Sequence, residues 1–253
     1  MKTALTIAGS DPTGGAGIQA DLKVFRAFGV HGISVTAAIT AQNTHGVSAI
    51  FPVAKNAIKA QCDTLLSDIS PDAVKIGMLY STDAVGIVSD VIKRYSLGNV
   101  VIDPVTVSSS GASLVDEGTL DAIKELLFPL ARIVTPNIYE ATVLTGIPVE
   151  EKKGLEASAS ALKKTGPHVV IITGGHLEGV ALDLYYDGGF KRIESEKLPG
   201  EFHGTGCVFS SALAALLALG HEPLDAARRA KEFVKSAIQK ACHPGRGMGI
   251  LHL

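Results

Sequence analysis

Residues 4–29 read ALTIAGSDPTGGAGIQADLKVFRAFG, and this stretch decides the fold. Ala4–Ala8 is a short apolar run of the kind that forms a buried strand, and a glycine-rich loop follows it. Ile18–Phe28 then carries apolar residues at helical spacing, and Gly29 supplies the left-handed residue that commonly follows a helix. The stretch therefore predicts a strand, a loop and a helix, which together begin a parallel α/β unit.

The same alternation continues through most of the chain. Further strands are predicted at Ile33–Ile39, Ala73–Met78, Val100–Val105, Arg132–Thr135 and Val169–Thr173, and the helices between them at Ala57–Leu66, Ala84–Tyr95, Leu120–Leu127 and Leu155–Lys164. Near the end, the turn residues DGG at 187–189 predict a hairpin of Ala181–Tyr186 with Phe190–Glu194, followed by helices at Cys207–Leu219 and Leu224–Ala241. We therefore expect one domain over residues 1–253, an α/β fold with three layers, whose central, mainly parallel sheet carries a small hairpin.

The charge and cysteine content of the chain narrow the kinds of function that it can have. The 253 residues include 23 basic and 25 acidic ones, and no block of like charge indicates a nucleic-acid surface. The most apolar segment, Val208–Leu219, is well short of the roughly 20 residues that span a membrane. Because Cys62, Cys207 and Cys242 are widely spaced and form no metal or redox pair, we expect reduced thiols in a cytoplasmic protein.

The first glycine-rich loop resembles two nucleotide-binding motifs and fits neither. Residues 15–20 read GAGIQA, which matches the dinucleotide pattern G-x-G-x-x-A. That motif needs a ribose-binding acid about 20 residues later, but the next acid after Asp21 is Asp63. Residues 9–16 have the glycine spacing of a Walker loop, yet they end in Gly-Ala where that loop needs Lys and then Ser or Thr. If the protein uses ATP, another loop must hold the phosphates.

The strongest local motif is HGTGC at residues 203–207, which runs directly into an apolar helix. Small residues at a helix start let backbone N–H groups converge on an anion, and the helix dipole adds positive charge there. A phosphoryl group in transfer would be stabilised at this point. A helix N-terminus also lowers the pKa of a thiol, so Cys207 could act as a general base toward a substrate hydroxyl. Alternatively, the glycines only shape a loop and Cys207 packs as a small hydrophobic residue.

Several segments, in the same order along the chain, resemble one enzyme family. GTGC at 204–207 is similar to the G-T-G-[C/D] signature of the ribokinase-like vitamin kinases, in which the last residue is the base. Cys in place of Asp is similar to the hydroxymethylpyrimidine and phosphomethylpyrimidine kinase branch. Further segments resembling that branch are AGSD at 8–11, GGAGIQADLK at 14–23, TAQNT at 40–44, KIGML at 75–79, VIDPV at 101–105, TPN at 135–137 and GGHL at 174–177.

The resemblance implies a ribokinase-like kinase that uses ATP and Mg²⁺. Its substrate would be 4-amino-5-hydroxymethyl-2-methylpyrimidine and then the monophosphate, in thiamine diphosphate synthesis, and the family implies a homodimer. Cys207 would deprotonate the alcohol while Gly204, Thr205 and Gly206 hold the transition-state charge. The alternatives are a pyridoxal kinase of the same fold, or a pyrimidine-binding module without catalysis.

The resemblance also implies four substrate contacts. Gln42 would hydrogen-bond the pyrimidine ring, since an amide offers both a donor and an acceptor; otherwise it caps a loop. Asp21 would contact the polar atoms of the ring; otherwise it is a solvated acid in the first turn of a helix. Met78 and Val105 would line the apolar part of the pocket, or they belong to the ordinary core.

A metal and a nucleotide would contact a second group of residues. Asn137 and Glu140 are three residues apart at a helix start and so share one face. In the family such a pair helps to place Mg²⁺ through water; otherwise it is a capping pair. Asp103, at a strand end, would lie near the phosphates or the metal. The residues that would approach the nucleotide are Thr173, Gly174 and Gly175.

Two positions depart from the family pattern. Thr106 stands where the family often has Met, and Ser109 stands where it often has a lysine that contacts a phosphate. The missing lysine bears on the efficiency of the second phosphorylation more than on the fold or the chemistry.

Overall fold

The computed structural model describes residues 1–107, 114–149, 152–174 and 181–253. Within these ranges one sheet has nine strands, in the order β3-β2-β1-β4-β5-β6-β7-β8-β9. Neighbours from β2 to β7 are parallel, and β3, β8 and β9 add antiparallel edges. The strands are β1 (Thr3–Ser10), β2 (His31–Asn43), β3 (Gly46–Pro52), β4 (Ala73–Ile76), β5 (Val100–Ile102), β6 (Ile133–Val134), β7 (Val169–Gly174), β8 (Ala181–Tyr186) and β9 (Phe190–Ser195).

Helices cover both faces of this sheet, each face with its own apolar core. Helices α1, α7 and α8 pack on one face, and α2 to α6 pack on the other. The expected three-layer α/β fold is therefore confirmed. The helices are α1 (Gly17–Ala27), α2 (Lys55–Leu66), α3 (Thr82–Arg94), α4 (Thr119–Ala122), α5 (Ile138–Thr145), α6 (Lys152–Lys163), α7 (Thr205–Ala218) and α8 (Pro223–Gln239).

The alternation of side chains along the strands places two polar groups beneath α1 and α7. On β1, Leu5 and Ile7 pack into the core on the α2–α6 side, so Thr6 between them points to the opposite face. On β4, Lys75 takes the same orientation, and it has no accessible surface. A lysine that is fully buried must be paired with an opposite charge, and the partner lies in the active site described below.

The second strand is longer than predicted. Instead of ending at Ile39, β2 continues to Asn43 and folds back as β3, so Gln42 lies on this strand, beyond its predicted end. Residues 40–46 read TAQNTHG, which shows no apolar alternation, and the register shifts between Ala41 and Gln42. Backbone pairing with β3 holds this segment, and side-chain patterning does not reveal such pairing.

The tail of the chain forms a second, two-stranded sheet, which pattern analysis also missed. Its strands are β10 (Phe202–His203) and β11 (Gly249–Ile250), which are parallel. Residues 247 and 248 donate backbone hydrogen bonds to Thr44, so the tail, the tip of the β2–β3 hairpin and the start of α7 meet at one place. In the described part of the chain, no helix is both long and apolar enough to cross a membrane.

Candidate active site

The HGTGC segment forms the entrance to α7. Gly204 precedes the helix with a φ of 80°, and a Cβ at this position would overlap the carbonyl oxygen of Gly15, so glycine alone fits. No side chain among the described residues caps α7, and its first turn holds no acid. Gly206 is exposed and faces open space. The first N–H groups of α7 are therefore available to an anion.

Cys207 lies in the first turn of α7 and is half-buried. The carboxylate of Asp103 and the backbone N–H of Gly17 lie near its thiol. Burial raises the pKa of Cys207 to about 12, with the negative charges of Asp103 and Asp21 adding to it and the nearby Lys75 opposing it. The expectation of a lowered pKa is therefore wrong for this structure, because desolvation outweighs the helix N-terminus.

Asp21, expected at the substrate, has no accessible surface. Nζ of Lys75 lies 3.0 Å from each of its carboxylate oxygens. Oγ1 of Thr6 and Oγ of Ser211 donate to the same carboxylate at 2.6 and 2.5 Å. Since protein groups already occupy both oxygens, we correct the assignment: Asp21 is one half of a buried ion pair beneath the active site, and it does not reach a ligand.

Gln42 is partly exposed near the end of β2. Its side-chain amide lies 2.7 Å from Nε2 of His203 and 3.3 Å from Oγ1 of Thr40. The same ring nitrogen is 2.9 Å from Oδ2 of Asp11. The amide expected to bind the pyrimidine ring is therefore linked directly to the residue that precedes Gly204.

Met78 and Val105 belong to a small apolar cluster separate from the two main cores, together with Ala38 and Leu114. A Cβ on Gly9 would come within 3.1 Å of Sδ of Met78, so a glycine at this position leaves room for the methionine. The structure thus brings the two predicted pocket-lining residues together. Their contact with a substrate stays a prediction.

Asn137 and Glu140 form a capping box at the start of α5. Oδ1 of Asn137 accepts a hydrogen bond from the N–H of Glu140 at 2.9 Å, and Oε2 of Glu140 accepts one from the N–H of Asn137 at 2.9 Å. The capping alternative is therefore present. A metal role for the same residues stays a prediction; within the described ranges, the second oxygen of Glu140 accepts only from the distant N–H of Thr106, at 3.4 Å.

The electrostatics around Glu140 fit a nearby cation. Burial, and then the charge of Asp103, raise the pKa of Glu140 to about 8, and burial also raises the pKa of Asp103. Oγ1 of Thr106 is buried without a hydrogen-bond partner in the described ranges. The carboxyl groups of Glu140 and Asp103 repel each other, and the Thr106 hydroxyl lacks a partner among these residues. A hydrated Mg²⁺ would suit both features. The described residues contain no cluster of three His, Cys, Asp or Glu side chains that could hold a metal, so water and phosphate would supply most ligands.

The end of β7 lies beside this capping box. The N–H of Thr173 donates to the carbonyl oxygen of Pro136 at 2.9 Å, and Thr173 forms an isolated parallel bridge with Asn137. The structure therefore brings the predicted nucleotide strand and the predicted metal pair together. Gly175 and Ser109 lie outside the described residues.

Gly174 is held by a second buried ion pair. Its N–H donates to Oδ1 of Asp183 at 3.1 Å, and Oδ2 of Asp183 lies 2.7 Å from Nζ of Lys231. Both charged side chains are almost fully buried. Burial raises the pKa of Asp183, and the lysine opposes this shift.

Sequence reasoning missed the charged and polar groups beneath the site. Lys75 appeared only within a motif, although a lysine in the otherwise apolar strand AVKI signals a buried cation. Ser210 and Ser211 lie in an otherwise apolar helix; Ser211 binds Asp21, and Oγ of Ser210 lies 3.0 Å from Oδ2 of Asp103. Polar residues at core positions were the available signal.

The fold and this site define a class of protein: a small-molecule kinase of the ribokinase-like fold. A solved structure with the same architecture is the ADP complex of Bacillus subtilis pyridoxal kinase, with a TM-score of 0.92 and 38% sequence identity. The match covers 99% of this chain and 96% of that one.

The sequence profile described as phosphomethylpyrimidine kinase matches residues 11–252, and the chain belongs to this family. It is similar to the hydroxymethylpyrimidine/phosphomethylpyrimidine kinase of Rhizobium meliloti, with 43% identity over 98% of this chain and 96% of that protein. It is also similar to the thiamine biosynthesis bifunctional protein ThiED of Geobacter sulfurreducens, with 45% identity over 97% of this chain. The chain spans about half, 51%, of that bifunctional protein. It is accordingly a phosphotransferase that acts on a hydroxymethyl group.

Proposed function

We propose that this kinase transfers the γ-phosphoryl group of ATP to the hydroxymethyl oxygen of 4-amino-5-hydroxymethyl-2-methylpyrimidine and then to the monophosphate, in thiamine diphosphate synthesis. The observation that carries the proposal is the uncapped entrance to α7, which ends in Cys207 and is joined through His203 to the Gln42 amide. Anion binding, proton transfer and ring recognition are thus adjacent. The ADP complex of the similar pyridoxal kinase supports ATP as the phosphoryl donor.

The backbone of the α7 entrance stabilises the phosphoryl group in transfer. No side chain of the described residues caps the N–H groups of Thr205 and Gly206, so they donate to the equatorial oxygens while the helix dipole adds positive charge. The glycines let the phosphoryl group approach the backbone closely.

The proton of the substrate alcohol moves through Cys207. With its pKa raised to about 12 the thiol is neutral, so it accepts a proton only as it gives up its own. The carboxylate of Asp103 lies near the thiol, and its raised pKa makes it a suitable final acceptor. The substrate O–H bond breaks as the oxygen attacks the γ-phosphorus, and the bond from that phosphorus to the bridging oxygen breaks, so ADP leaves. The sulfur takes the alcohol proton, and the thiol proton passes to Asp103.

Mg²⁺ would lie near Glu140, Asp103 and Asn137, held mainly through water and the nucleotide phosphates. When bound, the ion neutralises charge that develops on the phosphate oxygens. The buried carboxyl groups support this position, as does the hydroxyl of Thr106, which has no hydrogen-bond partner among the described residues. Thr173 and Gly174, with Gly175 after them, would contact the nucleotide beside it.

Product analysis tests the proposed reaction. The pyrimidine, its monophosphate and pyridoxal are compared as acceptors with excess Mg-ATP, and products are followed to long times at high enzyme concentration. We expect both the mono- and the diphosphate of the pyrimidine. Accumulation of monophosphate alone would reduce the enzyme to a single-step kinase, and turnover of pyridoxal alone would support the pyridoxal kinase alternative, which the structural similarity to the Bacillus enzyme favours.

The second phosphorylation places two anions side by side, so it depends more strongly on positive charge. Without a lysine at position 109, the α7 entrance and Mg²⁺ must supply that charge. We expect the second step to be more sensitive to salt than the first, and Ser109→Lys to accelerate it selectively.

A homodimer is proposed as the assembled form. Ile39 and Phe51 are paired across β2 and β3, and each exposes about half of its surface, 53% and 58%. A cross-strand apolar pair of this kind is suited to burial against a second copy. Sedimentation of Phe51→Asp should give a monomer, and an unchanged sedimentation coefficient would exclude this face.

The remaining proposals concern organisation and location. We propose one catalytic domain over residues 1–253, because the family profile covers residues 11–252 without a break. We propose a cytoplasmic location with a small-molecule pyrimidine as the partner, and neither nucleic acid nor membrane. The three free cysteines, of which Cys242 is exposed, fit a reducing compartment.

A further inference from the structure

The ring of His203 is held in a fixed position beside the Gln42 amide. His203 is 8% exposed and lies on β10, where its partner across the strands is Ile250. A Cβ on Gly15 would come within 3.0 Å of the ring, which shows how closely the backbone packs against it. Nδ1 of His203 is buried and has no hydrogen-bond partner among the described residues. Within the same residues, the polar contacts of the ring are therefore those of Nε2.

The position of the ring proton follows from Asp11. Its carboxylate accepts hydrogen bonds from N and Oγ1 of Thr13 and from N of Ala16, at 2.8 to 2.9 Å. Burial opposes its charge, but hydrogen bonds from His203 and Thr13 hold the pKa of Asp11 below its ordinary value. An ionised carboxylate can only accept, so the ring nitrogen 2.9 Å away must carry the proton. This leaves Nδ1 as a buried acceptor, whereas the other tautomer would bury an unpaired donor and set two acceptors face to face.

The orientation of the Gln42 amide follows in turn. The two ends of a side-chain amide have the same shape, so its hydrogen-bond partners decide which end faces which. Because Nε2 of His203 is a donor, the amide atom 2.7 Å from it must be the oxygen. The amide nitrogen then donates to Oγ1 of Thr40, whose single proton is already given to the carbonyl oxygen of Ser10 at 2.8 Å. In this orientation the single Nε2–H is shared between Oδ2 of Asp11 and the amide oxygen, and Oγ1 of Thr40 accepts from the amide nitrogen. The opposite orientation sets two donors together at His203 and two acceptors together at Thr40.

We propose that His203 is a positioning residue for ring recognition: its Nε2–H holds the Gln42 amide in the one orientation that reads an aminopyrimidine edge. In this orientation the amide keeps one free N–H and one free oxygen lone pair, with their order fixed. An aminopyrimidine places an amino donor beside a ring nitrogen acceptor and complements that pair, whereas a pyridine without the amino group does not. The inference rests on the proposed function, because it takes the pyrimidine as the ligand of Gln42.

Two amide substitutions separate this role from a structural one. The side-chain nitrogen of Gln can occupy the position of histidine Nε2, whereas that of Asn reaches only the position of Nδ1. His203→Gln should therefore keep the KM for the pyrimidine within about twofold, while His203→Asn should raise it about 10-fold, the size of one lost hydrogen bond. The preference for the pyrimidine over pyridoxal, measured as the ratio of kcat/KM values, should fall by a similar factor in the Asn variant alone. Thermal unfolding of both variants shows whether either loses the fold.

The ring tautomer is measured independently by ¹⁵N NMR, because a protonated and an unprotonated ring nitrogen differ widely in chemical shift. A proton on Nε2 is expected, and a proton on Nδ1 would overturn the inference. Equal KM values in the Gln and Asn variants, with normal wild-type turnover, would overturn it as well. Wild-type protein that leaves the pyrimidine unphosphorylated would instead overturn the proposed function, and the NMR result would still decide the tautomer.

Discussion

Two glycine-rich loops enter helices in this protein, and only one of them is left open. Before α1, Gly17 has a φ of 59° and lies against the carbonyl oxygen of Gly9; before α7, Gly204 has a φ of 80° and lies against that of Gly15. At α1 the protein fills its own loop, because Asp11 accepts from the N–H of Ala16. At α7 no side chain of the described residues does so.

The difference shows why a glycine pattern does not identify an anion site. The first N–H of α1, that of Gly17, lies near the sulfur of Cys207, so this entrance borders the active site. A third entrance, that of α5, is closed by its capping box of Asn137 and Glu140. Binding requires unsatisfied backbone donors and a loop that no side chain fills; in the described ranges, the loop before α7 is the one of these three that neither Asp11 nor a capping box fills.

Removing the thiol at the open entrance should have the largest effect. Cys207→Ala is expected to lower kcat by roughly 10²–10⁴-fold, because the proton of the alcohol loses its acceptor. Binding of the pyrimidine should change little. Cys242→Ala, at an exposed cysteine, is the matched control. Near-normal turnover of Cys207→Ala would end the assignment of Cys207 as the proton acceptor.

Blocking the open entrance should have the next largest effect. Gly204→Ala combines a left-handed φ, which costs about 1–2 kcal/mol, with overlap at Gly15, which costs about 1–3 kcal/mol. Gly220→Ala at the other end of α7 has a φ of 90° but no atom within 4 Å, so it carries the first cost alone. Urea unfolding and kcat should both separate the two variants. Equal losses of stability and of kcat in the two variants would mean that the close approach of Gly204 to Gly15 is unimportant.

Weakening the hydrogen bonds of Asp11, which fill the loop before α1, should lower the stability of the protein. Asp11→Asn weakens the hydrogen bonds to Ala16, Thr13 and His203, and we expect a loss of about 1–3 kcal/mol in the free energy of unfolding. Since the folded pKa of Asp11 is lowered, its contribution is present above the ordinary carboxyl pKa and lost as pH falls. The difference from wild type should therefore shrink in acid. Asp68→Asn, at an exposed carboxylate, is the control. Equal free energies of unfolding in the two variants would contradict the role of Asp11 in filling this loop.

A substitution in the capping box that closes the entrance to α5 should have the smallest effect on activity. Glu140→Gln is expected to raise the Mg²⁺ concentration for half-maximal rate about 10-fold. Because the folded pKa of Glu140 is raised to about 8, the neutral form favours folding, and wild-type stability without Mg²⁺ should decline as pH rises from 4.5 to 8. The variant should flatten this decline. Glu232→Gln, on the exposed side of α8, should leave both curves unchanged; identical Mg²⁺ titrations in all three proteins would argue against a metal role.

The strands and helices were predictable where apolar periodicity decides them. β1, β4 and β7 and the helices α1, α7 and α8 lie within a few residues of their predicted bounds. β3 and the β10–β11 pair were not predicted, since backbone pairing at an edge leaves no periodic signal in TAQNTHG or in the tail. Among the site residues, the pattern of small residues identified the entrance to α7, and the resemblance to the family suggested Gln42, Met78 and Glu140.

The sequence specified the α/β class, the glycine-rich loop after the first strand and Cys207 at a helix start, because periodicity and local conformation depend on neighbouring residues. Tertiary structure alone decided which of these groups are charged, paired or open. Asp21 is a helix acid in the sequence, and only the fold places it against Lys75, without accessible surface. The same applies to the thiol of Cys207 and the amide of Gln42. Protonation and hydrogen-bond direction depend on burial and on distant partners, such as Asp11 and His203, which are 192 residues apart, and no local pattern contains these.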